Sequence, residues 1–265
     1  MFFRYDRKLL GEHAGCAWRA LKLYLEAYLD GARVTPGAVG FVQTAGELLN
    51  FHPHVHVLVT DGGFRSDGSF RPLVWFDPQQ VERLFRAEVL RILLSRNLIT
   101  EQVVTNLLSW RHSGFSAHGA VCVQDREGAV RLGRYMIRCP IVLERLAWDE
   151  GAGQVVCRGR PARRSGPLPA EARWDVLEFL ARVIDHIPEP SQQTVRYWGF
   201  YANAARGKRR KAAQTGGGAQ RKILAFILDF ATAKAIRESL ELPAQEPEHL
   251  AHAPPETLEL IAESA

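Results

Sequence analysis

Three histidines stand at alternate positions in the short stretch "NFHPHVHVLV", which runs from Asn50 to Val59. The stretch is rich in β-branched residues and is followed by "TDGG", so the pattern predicts a β-strand that ends at a turn. Side chains of a strand alternate between its two faces. His52, His54 and His56 are therefore expected on the same face of this strand.

Two of these histidines are spaced to share a metal ion. Side chains two positions apart on a strand lie about 6 to 7 Å from each other along the backbone, so His54 and His56 would both reach one cation. A third ligand could come from either of two residues. His52 is expected on the same face, although Pro53 interrupts the strand hydrogen bonds between them, and Gln43 on the preceding predicted strand offers its side-chain carbonyl oxygen. Imidazole alone favours zinc, so the spacing leaves the metal open. The alternative is a set of exposed histidines that only form hydrogen bonds.

Length and composition predict a globular chain with one large domain, or one domain with appendages. The chain has 265 residues, of which 46% are hydrophobic, and it lacks the run of about 18 apolar residues that a membrane span needs. The start "MFFRYDRKLL" carries charges where a signal peptide needs an apolar core. Four scattered cysteines without a CxxC pair fit a reducing compartment. We therefore expect a cytoplasmic protein.

Positive charge is concentrated in two stretches, "RGRPARR" and "RGKRRK", although the net charge is only +5. Such clusters favour a polyanion such as nucleic acid, and two solvated basic loops are the alternative. The second stretch follows the aromatic run "RYWGFY", on which bases would stack. The candidate DNA-binding cations of this segment are Arg196, Arg206, Lys208, Arg209, Arg210 and Lys211.

Helical and strand-like patterns are mixed without regular βαβ alternation, which predicts an α+β fold. Helical spacing is clear in "CAWRALKLYLEAYLDGA", in the stretch that Pro78 opens, and in "EARWDVLEFLARVIDHI". A further helix, "DREGAVRLGRYMIRC", is expected to continue until Pro140 stops it. The region around 148–170 is predicted to be an insertion made of loop and hairpin.

Tyr135 in that last helix is the candidate nucleophile. Arg131 lies one turn before it and Arg138 one turn after it, so two guanidiniums would hold a phosphate beside the phenol. A tyrosine packed in the core is the alternative. Tyr197 and Tyr201 are rival candidates, for which aromatic packing is the simpler interpretation.

Four segments together resemble a known family. They are "FVQTAGELLNFHPHVHVLVTDGGF", "HSGFSAHGAV", "LGRYMIRCPIVLERL" and "IPEPSQQTVRYWGFYANAARGKRRK". Their content and order resemble those of rolling-circle transposases of bacterial insertion sequences, the IS91-like members of the HUH endonuclease superfamily. The resemblance covers roughly residues 3–211.

This resemblance implies a fold and a reaction. The fold would be an HUH-endonuclease-like antiparallel sheet flanked by helices, with helical additions and a flexible C-terminal tail. His54 and His56 would hold Mg²⁺ or Mn²⁺, and Tyr135 would attack a phosphate of single-stranded DNA, at the transposon ends and at the target. The product would be a 5′-phosphotyrosine, which conserves the energy for rejoining.

The domain limits follow the resemblance. Residues 1–36 would form a helical lead-in and residues 37–211 the catalytic domain, with an insertion around 148–170. Residues 212–265 would form a flexible linker, a residual C-terminal segment and a tail.

The chain departs from the family in three respects. Arg131 stands where two-tyrosine members have a second tyrosine, so the chain resembles single-tyrosine members. The cysteine-rich zinc-binding region with which relatives commonly begin is not in the sequence, and "AAQTGGGAQ" replaces a C-terminal CxxC pair. Two alternatives therefore stay open: a non-catalytic DNA-binding remnant of such a transposase, and a zinc-dependent hydrolase.

Overall fold

The computed structural model describes residues 2–29, 33–110, 114–123, 125–159, 170–213 and 225–231. Across these ranges helices and strands are mixed, and every strand pair is antiparallel. The predicted α+β class is thereby confirmed.

Four of the helices begin at a side-chain cap. Asp77 accepts hydrogen bonds from the backbone N–H groups of Gln79 and Gln80, and Pro78 occupies the first turn, where its missing N–H costs nothing. Thr100, Asp125 and Asp175 cap three other helices in the same way. The helices of the described residues are α1 (Phe2–Tyr5), α2 (Lys8–Tyr28), α3 (Pro78–Ser95), α4 (Glu101–Ser109), α5 (Arg126–Met136), α6 (Val176–Ile184) and α7 (Asn203–Ala213).

The strands of the described residues form three sheets. The main sheet contains β1 (Gly37–Ala45), β2 (Phe51–Thr60), β5 (Ser116–Val123), β9 (Val195–Gly199) and β10 (Ala225–Ala231), in the order β5-β10-β2-β1-β9. A hairpin contains β3 (Gly62–Phe64) and β4 (Phe70–Pro72), and a three-stranded sheet contains β6 (Leu146–Asp149), β7 (Gln154–Arg158) and β8 (Glu171–Trp174). This last sheet includes part of the region around 148–170, for which loop and hairpin were expected. Residues 160–169, with most of the first basic stretch, lie outside the described residues.

Strand β10 lies in the middle of the main sheet, between β2 and β5. Its Cα register pairs Ala225 with Thr60 and Asp229 with His56. The sheet that carries the histidines therefore includes a strand from beyond residue 211, the limit expected for the catalytic domain.

One face of the main sheet is sealed by α2 and α3. The core on this side contains fully buried side chains from both helices and from β2, namely Leu10, Ala14, Ala17, Leu21, Phe85, Val55 and Val57. Trp198 of β9 also lies on this side, where its ring stacks on Trp18 of α2 at a centroid distance of 5.9 Å.

The opposite face carries the intermediate positions of β1. Val39, Phe41 and Gln43 alternate with the buried Ala38, Gly40 and Val42. Residues directly opposite in an antiparallel pair share a face, so the register places His56 beside Phe41 and His54 beside Gln43 on this side. We call it the open face, because α2 and α3 pack on the other side.

The core also buries a carboxylate. Glu88 of α3 is 8% exposed, and one of its oxygens accepts hydrogen bonds from Arg19 of α2 and from Arg91 of α3. Burial alone would raise the pKa of Glu88, but these bonds outweigh burial and lower the pKa below its ordinary value. The carboxylate therefore links α2 to α3 while it is ionised.

We predict that Glu88→Gln lowers the free energy of unfolding by about 1 to 3 kcal/mol at pH 7, since charge-assisted bonds become neutral ones. A depressed pKa contributes stability that is complete above the ordinary value of 4.5 and is lost as pH falls through the folded-state pKa. The free energy of unfolding of the variant should therefore fall less between pH 7 and pH 4 than that of the wild type. Urea unfolding at pH 7 and at pH 4 measures both effects, with the exposed Glu150→Gln as control. Equal stability of both variants and the wild type would contradict the prediction.

Candidate active site

The two central histidines of β2 line one cavity on the open face. Val55 and Val57, which alternate with them, are fully buried in the core. The rings of His54 and His56 lie 4.9 Å apart between centroids. Both histidines line a cavity of about 530 Å³ that is open to solvent. The strand alternation thus directs both imidazoles to the same space.

The hydrogen bonding of His54 determines which of its ring nitrogens keeps a lone pair for a ligand. Its Nδ1 lies 2.7 Å from the carbonyl oxygen of His52. A carbonyl oxygen only accepts, so Nδ1 carries the hydrogen and Nε2 keeps the lone pair. This is the tautomer that a metal-binding imidazole needs, with its second nitrogen held by the backbone.

Gln43 lies beside His54 and lines the same cavity. Its Nε2 donates a hydrogen bond to the carbonyl oxygen of Met136, at the end of α5. The amide oxygen is therefore the end that is left for a ligand. The same bond ties β1 to the helix that carries Tyr135.

His52 differs from its two neighbours. Its ring centroid is 5.5 Å from that of His54, but His52 is not among the residues that line the cavity. In the described part of the chain, no group of three or more His, Cys, Asp or Glu side chains is placed to hold a metal ion. A metal held by His54 and His56 would therefore need Gln43, water or substrate oxygens as its other ligands.

Tyr135 comes to this cavity from α5. Its ring centroid is 6.2 Å from that of His56, and 44% of the residue is exposed. The guanidinium of Arg138 lies over the ring, 4.5 Å from its centroid. A phenol, two imidazoles and a guanidinium therefore line the same space.

The two arginines expected beside Tyr135 are placed differently. Helix α5 ends at Met136, so Arg138 follows in a turn and not one helical turn further on; the expected helix to Pro140 was wrong. Arg131 is 70% exposed and forms an ion pair with Glu127 at 3.7 Å, away from the residues that line the cavity. Periodicity persists in the sequence after the helix has ended, which explains the error.

Two charged residues of the cavity were missed by the sequence analysis. Glu47 lies in the turn between β1 and β2, and Arg145 ends the 3₁₀ turn Leu143–Arg145. The Nη1 atom of Arg145 is buried and has no hydrogen-bond partner within the described residues. A buried guanidinium donor without a partner is costly unless a ligand completes it. An anion such as phosphate is therefore the ligand that suits the cavity.

The basic helix α7 presents most of its cations to solvent. Arg206, Lys208, Arg210 and Lys211 are exposed, whereas Arg209 is half-buried with its guanidinium 3.6 Å from the ring centroid of Phe200. The exposed cations therefore form a charged surface, which we call the α7 surface, and Arg209 serves packing.

The aromatic run before α7 divides between the two faces of the sheet. Tyr197 pairs with Val39 and is 42% exposed on the open face, where Arg206 lies 5.9 Å from its ring centroid. Arg196 pairs with Gly40 and lies against Gly11 of α2, so it belongs to the sealed face and not to the expected DNA-binding surface. Tyr201 packs against Gly37, and burial raises its pKa.

Comparison with known proteins gives a family. Residues 37–209 match a family model, Y2_Tnp, described as "Putative transposase". The chain belongs to this transposase family. It is also 30% identical over 221 residues to the transposase for insertion sequence element IS801 of Pseudomonas savastanoi pv. phaseolicola, an alignment that covers 78% of the chain and 52% of the relative.

The chain thus spans about half the length of this transposase relative. No solved structure matches the chain. Among the described residues, no helix is long and apolar enough to cross a membrane. The resemblance to insertion-sequence transposases is confirmed by the family match.

We predict that His54→Ala and His56→Ala each weaken Mn²⁺ binding by at least about 10-fold, because even the partners of a metal ligand contribute that much to affinity. His52→Ala should change affinity by less than about 2-fold. The amount of free Mn²⁺ seen by electron paramagnetic resonance during titration gives each dissociation constant, and a parallel Zn²⁺ titration compares the two ions. Loss of binding in His52→Ala with retention in His56→Ala would refute this ligand set.

Proposed function

We propose that the protein nicks and rejoins single-stranded DNA during transposition of an insertion sequence, with Tyr135 as nucleophile. One observation carries the proposal: Tyr135, the His54/His56 pair and Arg145 line a single open cavity. A nucleophile, a candidate metal pair and an anion-binding cation are the parts that phosphoryl transfer needs. The family match to transposases supports the same reaction.

The fold is consistent with an HUH-type endonuclease. The paired histidines lie on a strand inside an antiparallel sheet, and the candidate tyrosine lies on a helix beside them. Arg131 occupies the place of a second tyrosine and does not line the cavity. This favours a single-tyrosine enzyme.

His54 and His56 would hold one Mg²⁺ or Mn²⁺ ion, with the Gln43 amide oxygen as the expected third protein ligand. The fixed tautomer of His54 and the orientation of the Gln43 amide fit this role. When bound, the ion polarises a phosphoryl oxygen as a Lewis acid. Both histidine ligands suit zinc as well, so the choice of Mg²⁺ or Mn²⁺ rests on the family resemblance.

Arginines would position the DNA phosphate. Arg145 lines the cavity and has an N–H donor that no described residue satisfies, and Arg138 places its guanidinium beside the phenol. Both side chains would hold the phosphate oxygens and offset the charge that develops on them during the reaction.

The reaction exchanges one phosphate ester for another. The Tyr135 oxygen loses its proton and forms a bond to phosphorus, while the bond from phosphorus to the 3′-oxygen of the preceding nucleotide breaks. The 3′-oxygen takes up a proton, and the 5′-phosphate remains on Tyr135. Attack by a 3′-hydroxyl on this phosphotyrosine reverses the step and joins strands without an external energy source.

The α7 surface would bind the strand outside the cavity. Its exposed cations adjoin Tyr197, which lies on the same open face as the histidines. Bases would stack on the aromatic ring while phosphates pair with the cations.

We predict that Tyr135→Phe abolishes the covalent protein–DNA adduct, because the attacking oxygen is removed and the ring that packs with Arg138 is kept. Labelled single-stranded DNA, incubated with the protein and Mn²⁺, should give a shifted band on a denaturing gel with the wild type alone. Binding measured by fluorescence anisotropy should change by less than about 2-fold, since a single exposed hydrogen-bonding group contributes little.

Tyr197→Phe is the matched control, because Tyr197 has nearly the same exposure on the same face. The adduct should persist in this variant. An adduct that persists in Tyr135→Phe and disappears in Tyr197→Phe would assign the nucleophile to Tyr197. Binding without any adduct in the wild type would indicate a non-catalytic DNA-binding remnant.

We predict that neutralising Lys208 and Arg210 to Gln reduces the slope of log affinity against log salt by about 0.7 for each phosphate contact removed. Anisotropy titrations with single-stranded DNA at 50 to 200 mM salt measure the slope. The control neutralises Arg65 and Arg83, which are exposed on the β3–β4 hairpin and on α3. Equal slopes in the two double variants would show that α7 does not contact DNA.

A further inference from the structure

A second cavity, of about 440 Å³, adjoins the histidine cavity on the open face. Its floor is formed by Phe41 of β1 and Val195 of β9, which pair directly. The end of α5 and the segment after α6 add Met136, Ile137 and Pro188. The walls are thus mainly apolar, and the volume is in the range of small-molecule sites.

The second cavity shares a wall with the candidate active site. Both cavities are lined by Gln43, Ala45, Arg138, Cys139 and Pro140. A strand whose phosphate lies beside Tyr135 would therefore have its next nucleotide close to the second cavity.

Two polar side chains at the rim of the second cavity, His186 and Arg7, are held in place by hydrogen bonds within the protein. Burial lowers the pKa of His186, which favours the neutral ring. Its Nε2 donates to the carbonyl oxygen of Leu49 at 3.2 Å, and its Nδ1 accepts from the hydroxyl of Thr44 at 3.0 Å. Arg7 donates to the carbonyl oxygen of Asp185 at 2.6 Å. These bonds fix the rim before any ligand arrives, which lowers the entropy cost of binding.

Gln192 offers a directional polar group at the same rim. Its amide oxygen accepts a hydrogen bond from the backbone N–H of Glu189 at 2.9 Å, so the amide N–H₂ is its donating end. Thr194 also lines the cavity and adds a hydroxyl. Amide and hydroxyl groups read the edges of bases in nucleic-acid complexes.

We propose that the second cavity is a nucleobase pocket, which takes one unstacked base of the strand that is cleaved in the neighbouring cavity. The inference rests on the proposed function, because it places a base next to the phosphate that Tyr135 attacks. Apolar walls suit the faces of a flat base, and the amide and hydroxyl suit its edge. The Arg138 cation lies at the shared wall, where the sugar–phosphate backbone would pass. The pocket would give the enzyme a base preference at one position beside the nick.

Val195→Trp tests the pocket, because the larger ring would fill it from the edge strand β9. Val74→Trp is the control, since Val74 is 98% exposed and does not line either cavity. The first probe is a pair of labelled 20-nucleotide single strands, one with random bases and one with abasic sugars throughout. Stacking of one base contributes about 1 kcal/mol or more, so Val195→Trp should weaken binding of the random strand by at least about 5-fold. Binding of the abasic strand should not change.

The second probe reads base preference. A random single-stranded pool is incubated with protein and Mn²⁺, and the DNA covalently attached to the protein is sequenced. The wild type and Val74→Trp should show a preferred base at one position beside the attached phosphate, and Val195→Trp should lose this preference. The pocket would be refuted if wild-type adducts showed no base preference at that position, or if the preference persisted in Val195→Trp. Either result would leave the proposed function intact, because adducts still form. If no adduct forms, the proposed nicking fails, and the binding comparison of the two strands still decides whether a base occupies the pocket.

Discussion

The alternation of side chains along β2 is the constraint on which the rest of the site depends. Val55 and Val57 are buried beneath α2, and this burial holds His54 and His56 on the opposite face. A shift of one residue in the pairing with β1 would expose the valines and bury both imidazoles without partners. The same packing that stabilises the core therefore determines which face of the sheet carries both imidazoles.

The position of Tyr135 depends on hydrogen bonds and contacts that join separate secondary-structure elements. The Gln43 amide bonds to the carbonyl oxygen of Met136 and so fixes the end of α5 against β1. Tyr135 precedes Met136 directly, so this bond limits how far the phenol moves from His56. Arg138 then folds back over the phenol because the helix has already ended. Precise placement of a nucleophile is a large part of what an enzyme contributes to a reaction.

The sequence predicted those parts of the site that depend on local order. His54, His56 and Gln43 were found because strand alternation is a short-range property, and Tyr135 was found because it lies in a helical pattern. Glu47 and Arg145 were missed because they come from turns, whose position depends on tertiary packing and not on periodicity. The face on which Arg196 lies could not be read from the sequence, because the register of β9 against β1 is set by contacts far apart in the chain.

The central position of β10 has a consequence for the order in which the sheet is assembled. This strand separates β2 from β5, although Thr60 and its partner Ala225 are far apart in the sequence. Pairings of this kind form late in folding, because closing a long loop costs entropy before any contact repays it. During synthesis, β2 would thus lack this neighbour until residues 225–231 have been made. A nascent chain without β10 would present β2 with an unpaired edge, so the candidate site would be complete only once this strand has been added to the sheet.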